Sequence, residues 1–190
     1  MPSTTSSARR ASPLPPAERR DAILSAVLPL LVERGAAVTS RELAAAAGVA
    51  EGTIFKVFTD KDDLLLAAFE RAADPTPYEQ AVAAIDPDLP FEERLVETTA
   101  LVQRRLLDIS RLYSQIDPAG RRPAPERFPD DPVITAVFES APDAVRLAPA
   151  EAARQLRALV LTLSNPFFVD PPLDSREIVH LFLRGVGADR

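Results

Sequence analysis

The chain contains no cysteine, which removes disulfides, thiolate nucleophiles, iron–sulfur clusters and cysteine zinc sites together. Its one histidine, His180, cannot build a multi-histidine metal centre within one chain, and no metal or other cofactor is expected. Long apolar runs are missing too. The longest clean stretch, Ala26 to Val32, is interrupted by Pro29 and falls far short of the roughly 18 residues that span a bilayer. The first fifteen residues are rich in Ser, Thr, Pro and Arg with no apolar stretch, so no secretory signal is read there. No glycine-rich phosphate loop accompanies a nucleophile and base, so an enzyme is not expected. These absences predict a cytoplasmic protein with no membrane partner.

What is present is ordinary for a globular protein: 190 residues, 46% hydrophobic and 26% charged, enough to bury a real core. The net charge of −6 argues against nucleic acid at face value, but the charge is unevenly placed. Residues 1–61 hold 8 Lys+Arg against 6 Asp+Glu, and the only two lysines, Lys56 and Lys61, both lie there. Residues 62–190 hold 14 basic against 22 acidic residues. An acidic body with a mildly basic head is compatible with a local phosphate-binding surface, because binding follows the local field.

Residues 1–15 read as a flexible tail, in which Arg9 and Arg10 are the side chains an arm would carry into a minor groove. Pro16 opens a helix; Ile23, Val27, Leu30 and Leu31 recur at helical spacing, Pro29 should kink it, and Gly35 stops it. Thr39-Ser40-Arg41-Glu42 is a capping box starting a short helix that Gly48 ends. A second short helix runs from about Glu51 to Phe58, so the pair reads as a helix-turn-helix with Val49, Ile54 and Phe58 in its corner. Asp60 and Asp63 then cap another helix. Lys61 falls at its first position, either to meet a phosphate together with the helix amides or as a solvated lysine offset by Asp62 and Asp63.

Three ordered stretches carry a resemblance: Thr39-Ser40-Arg41-Glu42-Leu43-Ala44, Gly48 to Phe58, and Asp60-Lys61-Asp62-Asp63-Leu64-Leu65. Together they closely resemble the DNA-binding domain of the TetR family of bacterial transcriptional regulators, over about residues 16–76. The resemblance implies an all-helical homodimer whose amino-terminal heads enter successive major grooves of a double-stranded DNA operator. Residues 77–190 would bind a small-molecule effector and dimerise, and family members usually repress and release DNA when the effector binds. Three positions depart from the common pattern: Ala50 replaces a capping serine, Phe55 a frequent tyrosine, and Val57 a frequent histidine or tyrosine.

Within that frame, Thr39 and Lys61 are expected to hold phosphates and set register. Arg41 reaches a guanine edge or a phosphate, and Thr53 and Lys56 are the base-edge readers. The amides after Ala50 lack a side-chain cap, and Gly52 lets the DNA backbone approach closely. Phe55 either presses on a thymine methyl or sugar or lies partly buried under the hairpin, whereas Phe58 belongs to the core. A ligand-independent architectural DNA-binding protein is the alternative function, although such a protein should be basic throughout.

Beyond the head no strand pattern appears. A short helix covers Tyr78–Ile85, and a long one follows Pro90 with Leu95, Thr99, Val102, Leu106, Ile109, Tyr113 and Ile116 as one continuous seam. Residues 117–132 hold five prolines and read as a loop; helices follow at Val133–Glu139, at Ala150 to about Asn165, and from the capping box Asp174-Ser175-Arg176-Glu177 through Gly185. An effector site is expected beside the long helix, from Gln103, Arg104, Leu106, Tyr113, Gln115 and Phe138. The last two helices are apolar around most of their circumference, so Leu156, Leu159, Leu163, Ile178, Leu181 and Phe182 are expected at a dimer interface. Leu64, Leu65, Ala68 and Phe69, on the helix after Asp60, would connect head to pocket.

Overall fold

A computed structural model of the chain describes residues 15–116 and 130–186. The expected tail residues Arg9 and Arg10, and most of the 117–132 loop, lie outside the described residues. All regular structure among the described residues is helical, so the fold is all-α. The chain divides into two compact units, one ending at Leu64 and one beginning at Leu65.

The first unit holds α1 (Pro16–Arg34), α2 (Ser40–Ala46), α3 (Glu51–Val57) and the start of α4 (Lys61–Ala73). Proline at the first position of α1 suits a site whose N–H would be unpaired anyway. The helix buries Ile23, Leu24, Val27 and Leu31 and runs on through Pro29, whose ring lies exposed, to Arg34. Gly35, at φ 53°, stops it and leads into a single 3-10 turn.

The capping box of α2 forms as expected. The Thr39 hydroxyl accepts from the Glu42 amide at 3.3 Å, and the Glu42 carboxylate accepts from the Thr39 amide at 2.8 Å. Gly48 terminates the helix at φ 64°, a left-handed conformation that a β-carbon would strain. The chain then turns so that α3 packs on α2. Leu43 and Ala44 of α2, Ile54 of α3, Val38 and Phe58 are buried, so Phe58 is core as expected. Asp60 caps α4 through its carboxylate, which accepts from the Asp63 amide at 2.8 Å.

The second unit contains the rest of α4, α5 (Thr76–Ala83), α6 (Phe91–Ile116), α7 (Pro132–Glu139), α8 (Pro149–Leu163) and α9 (Ser175–Val186). The expected seam of α6 is buried at Leu95, Thr99 and Val102. Farther along, Leu106, Ile109 and Tyr113 are only half-buried, and Leu112 is the buried residue of the last turns. Tyr113 instead sets its ring against Phe69, with centroids 5.8 Å apart. The core of this unit runs from Tyr78 and Leu95 through Phe138 and Leu156 to Ile178 and Phe182. Full burial of each such side chain contributes about 1.5–3 kcal/mol. Asp174 and Glu177 cap α9 reciprocally, each bond 2.9 Å long.

Three of the expected interface residues are corrected by this packing. Leu156, Ile178 and Phe182 are buried in the core of their own unit and have no surface left for a partner. Ile178, Val179 and Phe182 form a single buried stripe, while Leu181 lies outside it and is 48% exposed. Leu159 and Leu163 are half-buried against the core. Among the described residues, no helix is long and apolar enough to cross a membrane.

Candidate nucleic-acid interface

The face that α3 turns away from the core is built by subtraction. Ile54 and Phe58 point inward, so Glu51, Gly52, Phe55 and Lys56 remain exposed and Thr53 is half-buried at the edge. Phe55 is 43% exposed, which decides between its two expected roles in favour of the surface. No side chain caps α3 at Ala50, as its methyl requires. A β-carbon added at Gly52 would meet nothing within 4 Å, so the fold itself does not need glycine there. Arg41 stands exposed on α2.

Two expected phosphate holders are already engaged. The Thr39 hydroxyl donates its one proton to the Glu42 carboxylate at 2.7 Å while accepting the cap bond. The Lys61 ammonium donates to the carbonyl of Val38 at 2.6 Å and also to that of Ala36. Lys61 is thus a staple from the start of α4 to the segment before α2, and neither a solvated lysine nor an uncommitted phosphate clamp. An ammonium has three N–H donors, so at most one remains for a ligand. The Glu42 carboxyl is held at about 2, first by the Thr39 amide, then by the Arg34 guanidinium and the Thr39 hydroxyl. Arg34 bonds that carboxylate at 2.7 Å.

Arg20 was not singled out from the sequence, and it orients α3. Its guanidinium donates to the Val57 carbonyl at 3.1 Å and lies 4.3 Å from the Phe58 ring centroid. It also meets the Asp63 carboxylate at 3.5 Å. One side chain of α1 therefore satisfies the last carbonyl of α3, stacks on its capping residue and reaches α4. Beside it a cleft of about 460 Å³ is lined by Arg19, Arg20, Thr53, Lys56 and Val57. The structure thus brings Thr53 and Lys56 together with a basic pair at the start of α1. The signal available in the sequence was the adjacent Arg19-Arg20, one helical turn before the first buried residues.

None of the six residues expected at an effector site lines either of the two cavities described among the described residues. Gln103 donates to the Ser164 hydroxyl at 2.9 Å and the Leu173 carbonyl at 2.8 Å, clipping α6 to the segment around α8. Arg104 and Gln115 are exposed. Phe138 is fully buried between the rings of Phe91 and Phe182, and Leu106 packs against the same core. Tyr113 meets Phe69. A cavity of about 320 Å³ does exist in the body, but different residues, among them Tyr78, Arg105, Asp131 and Arg157, line it. Polarity near a seam does not by itself distinguish a pocket wall from a structural clip such as Gln103.

A short two-helix hairpin with an exposed second helix and a cluster of cations, followed by a larger helical unit, defines a helix-turn-helix DNA-binding protein. Residues 23–68 match the family described as bacterial regulatory proteins, tetR family. The fold as a whole is similar to a TetR transcriptional regulator from Streptomyces coelicolor, with 21% identity over 90% of this chain and 99% of that one and a TM-score of 0.58. It is also similar to a structure described as the molecular basis for control of antibiotic production by a bacterial hormone. That likeness has 20% identity, covers 90% of this chain and 98% of the other, and has a TM-score of 0.62. No curated protein matches the sequence. Residues 23–68 are thus similar to the DNA-binding head of tetR-family regulators, and the fold of the chain is similar to that of regulators of this kind.

Proposed function

We propose that this regulator acts in the cytoplasm as a homodimeric repressor that grips a palindromic double-stranded DNA operator and releases it when a small-molecule effector binds. In this reading residues 16–76 are the DNA-binding part and 77–190 the effector-binding and dimerisation part. The observation that carries the DNA contact is the outer face of α3. There Gly52, Phe55 and Lys56 stand exposed, a β-carbon at Gly52 would meet nothing within 4 Å, and Lys56 lines one cleft with the Arg19–Arg20 pair. Lys56 and Arg41 read base edges, Thr53 supports them, and the amides after Ala50 lie open to the backbone.

Dimerisation is supported by apolar surface left on the body. Leu181 is 48% exposed, and Phe167 and Phe168 on the connection between α8 and α9 are 85% and 60% exposed. Large apolar groups gathered on one pair of elements mark an interaction surface. Two heads related by a two-fold axis require half-sites about one helical turn apart. In vitro selection of bound DNA from a random library tests the reading. A palindromic consensus with a salt-dependent, sequence-selective gel shift supports it, and uniform binding to all DNA refutes it.

A further inference from the structure

The cavity in the body joins the end of α4, α5, α6, the start of α7 and α8. At its heart stand two guanidiniums and one carboxylate. Asp131 is buried and engaged through both oxygens. One of its oxygens accepts from the amides of Val133 at 3.1 Å and Ile134 at 3.2 Å and from the Tyr78 hydroxyl at 3.4 Å. The other oxygen lies 3.8 Å from Arg157 Nε. Burial, followed by the neighbouring Asp131 charge, pushes the pKa of the Tyr78 hydroxyl well above its ordinary value, so it stays protonated and remains a donor.

Arg105 is left over. Its guanidinium lies 5.2 Å from the Tyr78 ring centroid, and one terminal nitrogen donates to the Ala73 carbonyl at 2.6 Å. Its Nε is buried without a hydrogen-bond partner, and no carboxylate lies within ion-pair distance among the described residues. The half-buried Arg105 feels the Asp74 carboxylate only from beyond ion-pair distance, so an anion brought to its guanidinium gives it a direct counter-charge. The guanidinium fork matches a planar carboxylate.

We propose that this cavity binds a small organic monocarboxylate, with its carboxylate on Arg105 and its apolar part against Pro75, Tyr78 and Val133. The volume of about 320 Å³ lies at the small end of ligand pockets, so the guest is compact. The cavity wall also carries Glu79 and Asp130, both exposed. Asp130 is paired with Arg154 at 3.7 Å, and the Glu79 carboxylate adds negative charge that disfavours dianions and phosphates more than monoanions. The inference rests on the reading of the body as the effector-binding part.

The test is isothermal titration of the full chain with benzoate, phenylacetate and hexanoate, using benzamide as neutral isostere and phthalate as dianion. At least one monocarboxylate binds, while benzamide and phthalate bind at least about tenfold more weakly. Arg105→Gln weakens that binding about tenfold or more, whereas Arg104→Gln, at an exposed neighbour, leaves it unchanged. If Arg105→Gln fails to fold by circular dichroism, Arg105→Lys, which keeps the charge but loses the fork, gives the same comparison. No heat from any monocarboxylate up to about 10 mM, equal binding of benzamide, or unchanged binding in the Arg105 variant overturns the proposal. Operator binding, measured separately, shows whether the regulator reading stands: intact DNA binding with no carboxylate binding refutes the site alone.

Discussion

Gly52 offers the cleanest separation of folding from function in the head. It is the second residue of α3, its backbone is helical, and an added β-carbon would meet no atom within 4 Å. Replacement by alanine therefore introduces no clash and lowers the entropy lost on folding, a gain of about 0.5–1 kcal/mol in a helix interior and toward the lower figure in a first turn. In the proposed DNA complex the same methyl would stand where the groove comes closest. Holding the α3 backbone away from a phosphate forfeits at least one hydrogen bond to a charged group, about 1.5–3 kcal/mol, or roughly tenfold to a hundredfold in affinity. The two measurements are urea unfolding of the free protein and fluorescence anisotropy with the selected operator. Gly52→Ala is expected to raise the unfolding midpoint slightly while binding DNA at least tenfold more weakly. Unchanged operator affinity refutes the close approach, and a lower midpoint refutes the open geometry around Gly52.

Lys61→Met removes the ammonium that bonds the Val38 and Ala36 carbonyls, so the head should lose about 1–3 kcal/mol, read as a lower urea midpoint; an unchanged midpoint refutes the staple. Glu42 is held at about 2 against an ordinary 4.5, so its stabilisation is complete above 4.5 and is lost as pH falls toward 2. The melting temperature of Glu42→Gln should accordingly lie below that of the wild type at neutral pH and converge with it across that acid window; a constant gap refutes the assignment. Leu181→Asp places a charge on the exposed apolar flank of α9 and should convert dimers to monomers in size exclusion with light scattering. A wild type that is already monomeric at micromolar concentration sinks the dimer itself.

The parts of this fold that were legible in the sequence are those settled within a few residues. The reciprocal caps at Thr39–Glu42 and Asp174–Glu177 and the left-handed Gly48 follow from local backbone geometry, and all three stand. Apolar periodicity placed the helices but did not say which partner covers which face. α9 is apolar over a wide arc, and only packing reveals that Ile178, Val179 and Phe182 turn inward while Leu181 does not. Polar side chains were least legible, because their partners are distant in sequence. Arg20 meets the Val57 carbonyl 37 residues away, Gln103 meets the Leu173 carbonyl 70 away, and Tyr78 meets Asp131 53 away. The Arg105 cavity escaped notice for the same reason, since no segment of the sequence contains more than two of its charged members side by side.

This commitment of polar groups to folding bears on how strongly the head can depend on salt. Arg34 is paired with Glu42, Arg20 is held by Val57, Phe58 and Asp63, and Lys61 is bonded to two carbonyls. Arg41 and Lys56 remain exposed with no ion pair among the described residues, and Arg19 lines the cleft beside Lys56. Even if Arg41 and Lys56 each also neutralise a phosphate, two contacts per head, or four per dimer, give a slope of log K against log salt no steeper than about −4, since each neutralised phosphate contributes roughly −0.9. Titration of the selected operator across a range of salt concentrations measures that slope directly. A value steeper than about −8 would mean that Lys61, Arg34 and Arg20 abandon their intramolecular partners on the DNA, so the head reorganises on binding instead of docking as built.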